Sequence, residues 1–190
     1  MTPSSHHMRL YSLDAERLYL NRSERERFAL YAGHADPITC ALCMVLLHTG
    51  CRLSEALNLR GRDVQIEECL ISINSLKKRH LHHVRELPIQ TGFAQQLKND
   101  VIRKPDDLLF DVSRTTAWRR VTSVMHDAEI SGIHATPKGL RHSFGVHCAF
   151  SNIPMPLAQK WMGHSDIKTT AIYYQIVGQE EREMAQRLWT

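Results

Sequence analysis

No stretch of the 190-residue sequence approaches the roughly 18–20 consecutive apolar residues of a membrane span, and no charged-then-apolar leader opens it. The expectation is a cytoplasmic protein with no membrane partner. Internal repeats and low-complexity tracts are also missing. Cysteine is sparse and odd in number: Cys40, Cys43, Cys51, Cys69 and Cys148. Cys40 and Cys43 form a C-x-x-C, but no second C-x-x-C or paired-histidine signature completes a zinc set. The pair lies inside the apolar run Ile38 to Leu47, so buried reduced thiols are expected, with no metal and no cofactor.

What is present suits one soluble domain. Hydrophobic residues make up 43% and charged residues 23%, enough for a sizeable core without staples. The net charge of +4 permits an anionic partner without demanding one, and twelve histidines add positive charge as pH falls.

Taken in order, residues 12–31 read as helix, with Ser12 capping Leu13–Leu20 and Asn21 or Ser23 capping a second set of turns. Glu24, Arg25, Glu26 and Arg27 read as a solvated face. Asp36 and Pro37 open an apolar helix over 37–49, and Ser54 and Glu55 a short one through Leu59. Alternation at 64–66, 70–73 and 84–89 predicts a small antiparallel sheet. Between its last two strands, residues 74–83 carry Lys77, Lys78, Arg79 and three histidines, with no acid before Glu86. Such a run is either a solvated hairpin tip or a loop laid on phosphates. Thr91 reads as a cap for helix 91–100. Ser113 opens an amphipathic helix with Ala117, Trp118, Val121, Val124 and Met125 on one face. Its other face holds Arg114, Arg119 and Arg120, a phosphate-contacting stripe or a solvated one. Thr136 and Pro137 start a helix from Lys138 to about Phe150, with Arg141 one turn in. Leu157–Met162 and Ile167–Tyr174 come next, the latter capped by Ser165 or Asp166, then a final helix, Gln179–Trp189. The fold class expected is mainly α with a small antiparallel β-sheet.

Four blocks stand out. Thr49-Gly50-Cys51-Arg52-Leu53-Ser54-Glu55 precedes a helix. Lys138-Gly139-Leu140-Arg141-His142 opens another. Gly163-His164 and Tyr173 lie further on, at separations of 23 and nine residues from Arg141 and His164. These blocks, in this order and spacing, resemble the tyrosine recombinase (phage integrase) catalytic domain, over about residues 36–178. The resemblance implies catalytic roles for Arg52, Lys77, Lys138, Arg141, His164 and Tyr173; beside it, the basic loop and helix face offer Lys78, Arg79, Arg114, Arg119 and Arg120 as DNA contacts. The chemistry is consistent. Without a metal, the extra negative charge of a five-coordinate phosphorus must be met by fixed cations, and each arginine fork can hold two oxygens. A tyrosine hydroxyl can attack phosphorus and hold it as an ester, so no ATP is needed. A hairpin lysine, Lys77 or Lys78, would protonate the leaving 5′-oxygen. Tyr174, about 100° away on the helix, would pack, and His142 would be structural.

One block departs from the family pattern: Lys138 stands where a histidine is usual, as a third cation or as a base if its pKa is depressed. The resemblance implies strand cleavage and rejoining of double-stranded DNA at a specific site through a 3′-phosphotyrosyl intermediate, ending in integration, inversion or resolution. It implies self-association on DNA as dimer or tetramer. Residues 1–35 would be a helical appendage of a catalytic-domain-only type, and 179–190 a helix docking on a neighbouring protomer. Two rivals remain: a DNA-binding regulator or accessory factor with the same fold and weakened catalysis, and a relaxase of supercoils that shares the chemistry.

Overall fold

The computed structural model describes residues 9–75, 84–175 and 179–189. It is a mainly helical domain around one core, with a three-stranded antiparallel sheet on one side. Helices α1 (Arg22–Ala32) and α2 (Pro37–Thr49) come first, then the single-turn α3 (Leu53–Ala56). Strands β1 (Val64–Gln65), β2 (Leu70–Asn74) and β3 (Val84–Pro88) pair in the order β1-β2-β3, with Ile73 opposite Arg85. After them run α4 (Thr91–Gln96), a π-helical turn (Leu97–Val101), α5 (Arg114–Asp127), α6 (Pro137–Phe150), α7 (Met155–Met162), α8 (Ile167–Ala171), a 3-10 turn (Ile172–Tyr174) and α9 (Gln179–Gln186). Among the described residues no helix is long and apolar enough to cross a membrane.

Helix α2 is the central post. Asp36 accepts from the Ile38 and Thr39 amides, Pro37 sets the first turn, and nine of its residues are buried. Each fully buried leucine such as Leu42 or Leu46 contributes about 1.5–3 kcal/mol. Cys40 and Cys43 are buried free thiols inside it.

The expected helix over 12–20 is not formed. The Ser12 hydroxyl accepts from the Asp14 and Glu16 amides, Ala15 has φ 59°, and Tyr11 bridges to Arg17 as extended chain. A serine that bonds its own following backbone competes with helix, and here it wins. Helix α1 starts where Asn21 and Glu24 build a capping box. The charged run of α1 is not simply a solvated face. Glu24 is buried and salt-bridged to Arg17, with His134 beside it, and Arg25 reaches the Ser143 hydroxyl. Tyr19, Leu20 and Phe28 join the main core. Two smaller expectations also fail. Gln90, not Thr91, stands before α4, with no side-chain cap, and Trp118 is 47% exposed while Ala117, Val121, Val124 and Met125 are buried.

Candidate active site

Helix α2 must stop sharply to place Arg52. Gly50 does this in the left-handed conformation (φ 58°), with the Phe144 ring packed where a β-carbon would stand. Arg52 then occupies the residue before α3. The Glu55 side chain accepts from its amide (2.8 Å) and from its guanidinium (2.9 Å). The Arg52 side chain keeps 29% of its surface exposed.

Arg141 sits in the first turns of α6, whose start is fixed by Thr136 accepting from the Gly139 amide. Its guanidinium donates to the Gly50 carbonyl (2.8 Å) and to the Met162 carbonyl (2.7 Å), tying the ends of α2 and α7 together. Burial lowers its pKa to about 10, and the nearby Arg52 charge pushes the same way; it stays charged at neutral pH.

Gly163 ends α7 with φ 65° and turns the chain to His164. His164 Nδ1 lies 2.9 Å from the Thr170 hydroxyl, while Nε2 is buried without a partner among the described residues. Burial, then the Arg141 and Arg52 charges, press its pKa down to about 3, so the ring is neutral. It stacks on the Tyr173 ring at 6.1 Å with 12° between planes. The Tyr173 hydroxyl shares a 3.1 Å hydrogen bond with His142 Nδ1, and its ring lies on Gly145, where a β-carbon would be 2.6 Å from it. Burial raises the Tyr173 pKa to about 12, against the pull of Arg141 and Arg52. Tyr174 points elsewhere and donates to the Ile153 carbonyl, the packing role expected of it.

Arg52, Arg141, His164 and Tyr173 are therefore brought together. Lys138 is exposed on α6; its charge helps hold the His142 pKa down, after burial, at about 4. Arg141 is instead buried, so the two do not share a solvent-facing surface. Arg114 and Arg119 are exposed on α5 and Arg120 half-buried, close enough to Asp36 to favour its carboxylate. Lys77, Lys78 and Arg79 lie outside the described residues. Among the described residues no cluster of three or more His, Cys, Asp or Glu side chains could hold a metal. Sequence reasoning missed the contact of His142 with Tyr173 and the burial of Arg85 and His134. For Arg85 a signal existed: it shares strand parity with the buried Leu87 and Ile89.

A helical frame with this small sheet, enclosing two arginines, a histidine and a tyrosine, is that of a tyrosine recombinase catalytic domain. The sequence matches the family model described as the phage integrase family over residues 17–180, and the chain belongs to that family. It is 31% identical over 164 residues to the tyrosine recombinase XerA of Pyrococcus furiosus, covering 80% of this chain and 55% of that protein. Its structure resembles a XerA recombinase crystal structure with TM-score 0.77 at 26% identity, covering 90% of this chain and 65% of that one. It also shares the fold of the XerH site-specific recombinase bound to its difH substrate, with TM-score 0.72 at 19% identity over 95% of this chain and 60% of that one. The chain spans about half the length of the curated relatives it matches.

Proposed function

We propose that the chain is a site-specific DNA recombinase that breaks and rejoins strands through a 3′-phosphotyrosyl ester. The observation that carries this reading is the convergence of Tyr173 and His164, ring on ring, beside Arg141 and Arg52, whose charges favour the phenolate. Tyr173 Oη attacks phosphorus, the bond to the 5′-oxygen breaks, and that oxygen takes a proton from Lys77 or Lys78. The phenol proton leaves to water. Arg52 and Arg141 hold the non-bridging oxygens, Lys138 adds a third cation, and His164 Nε2 hydrogen-bonds one of those oxygens. Attack by a 5′-hydroxyl on the ester reverses the step, conserving the bond. Double-stranded DNA is the partner, gripped by Lys78, Arg79 and the Arg114, Arg119 and Arg120 stripe, and the work is cytoplasmic. The protein bound to difH among its structural relatives supports a DNA substrate.

With no exposed surface, Tyr173 does not meet a phosphate outside the protein. Attack requires α8 and the 3-10 turn to move outward, breaking the His142 bond. Self-association supplies a cause. Leu188 and Trp189 at the end of α9 are 82% and 78% exposed, apolar groups suited to a neighbouring protomer on DNA. In that arrangement residues 179–190 reach across from the catalytic unit.

The test uses a pool of nicked duplexes with a randomised centre. Wild type should leave a denaturant-resistant adduct whose recovered DNA converges on one site. Tyr173→Phe should bind the recovered site but leave no adduct, and Tyr174→Phe should keep it. Adducts formed by Tyr173→Phe would sink the assignment.

A further inference from the structure

Among the described residues the largest fully buried side chain is a cation that the reaction scheme does not use. Arg85, on β3, is 1% exposed. Its guanidinium pairs with Glu55 at 2.7 Å, with a second, longer approach of 3.5 Å. Its Nε donates to the Trp161 carbonyl at 2.7 Å, in the last turn of α7. Gly163 is pressed against it: a β-carbon there would be 3.0 Å from the guanidinium. Arg85 thus joins the sheet, α3 and the turn leading to His164.

Its partner matters most. Glu55 is also buried at 2%, and the same carboxylate holds Arg52. A buried carboxylate with one arginine for company would cancel that arginine's charge and draw its donors inward. With two, one guanidinium offsets Glu55 and the other keeps its net charge for an anion outside. Arg85 is the wholly buried member, closed to solvent and to DNA; Arg52 is the one with exposed surface. Burial pushes the Glu55 pKa up, but the Arg85 hydrogen bond and charge, with those of Arg52, hold it below the usual carboxylate range.

We propose that Arg85 is a positioning residue: it neutralises Glu55 so that Arg52 presents an uncancelled charge, and it fixes the α7 turn that delivers His164. This rests on the reading of Arg52 and Arg141 as the phosphate clamp, and it makes Arg52 a catalytic group only while Arg85 is in place.

The test reads oxyanion binding rather than cleavage. The full chain is titrated with sodium sulfate and its melting temperature followed. The part of the response that Arg52→Ala removes reports the clamp. Glu55→Gln, which deletes the negative charge, should bind sulfate several-fold tighter than wild type. Arg85→Met should bind about tenfold more weakly, the scale of one charge contact. Glu55→Gln combined with Arg85→Met should return to within about threefold of wild type, because both charges leave together. If Arg85→Met does not fold, Glu55→Gln and the double variant decide, since exchanging a whole buried pair for neutral groups is tolerated. The proposal is overturned if Glu55→Gln binds no tighter than wild type, if the double variant is as weak as Arg85→Met, or if Arg52→Ala leaves the sulfate response unchanged. A sulfate pattern as expected, with no adduct from the nicked-duplex pool, would instead refute recombination and leave the Arg85 relation standing.

Discussion

Lys138 stands where the family resemblance leads one to expect a histidine, and its surroundings say what to expect of it. It is exposed on α6, where its charge bears on His142, while Arg141 is buried in the core. As a third cation at the transition state its loss should be felt: Lys138→Ala should slow adduct formation about 10²–10³-fold. Lys138→His should restore part of the rate, with a new dependence on pH between about 6 and 8 in single-turnover assays. Near-normal cleavage by Lys138→Ala would place it outside the site. Gly145 makes the opposite kind of case, a residue whose lack of substance is its role. Gly145→Ala should push the Tyr173 ring off α6 and destabilise the fold by about 1–3 kcal/mol, read by urea denaturation. Single residues were legible where a motif spaced them: Arg52, Arg141, His164 and Tyr173 all meet. His142 was not, because adjacency to Arg141 in sequence says nothing of which ring the 3-10 turn after α8 brings beside it.

Among the elements, the caps at the longer helices were legible; those read at Ser12 and Thr91, and tertiary rescue, were not. Asp36, Ser113, Thr136 and Asp166 all accept the amides expected of them. The segment before Asn21 misled because Ser12 read as a helix cap, while its hydroxyl and the Arg17–Glu24–His134 cluster hold the chain out of helix. A contact between residue 24 and residue 134 has no local trace. Asn21→Ala should therefore lower stability by about 1 kcal/mol, seen as a melting shift of a few degrees. Helix α9 tests the other end. Met184 packs on the core and Arg187 donates to the Phe150 carbonyl and lies over its ring, while Leu188 and Trp189 just past the helix stay exposed. Removing residues 179–190 should weaken assembly on DNA, followed by gel mobility, far more than it lowers the melting temperature. A large thermal loss with assembly intact would show that α9 serves only its own domain.

For the molecule as a whole, the buried ionisable groups set a response to acid. His142 and His164 stay neutral, with pKa values of about 4 and about 3, whereas in the unfolded chain they titrate near ~6.5. The unfolded state therefore binds more protons below that value, and stability falls as pH drops from about 6.5 toward the folded values. Glu24 and Glu55, both held below the ordinary carboxylate range, keep their contribution above about 4.5 and lose it below. Urea unfolding at a series of pH values should show a steady decline from pH 6.5 to 5, steepening under 4.5, and His142→Gln should flatten the upper limb. A stability independent of pH down to 5 would contradict the buried neutral rings. The enclosure of Tyr173 has one further effect, on reagents. An iodinating or nitrating agent needs the edge of a phenol ring, and this ring offers none. In the Tyr174→Phe protein, which removes the partly buried neighbour from the same peptide, Tyr11 and Tyr31 should be labelled first, leaving the peptide that contains Tyr173 unmodified until the end of the chain swings aside. Labelling of that peptide would then serve as a clock for the opening, in solution and without any DNA at all.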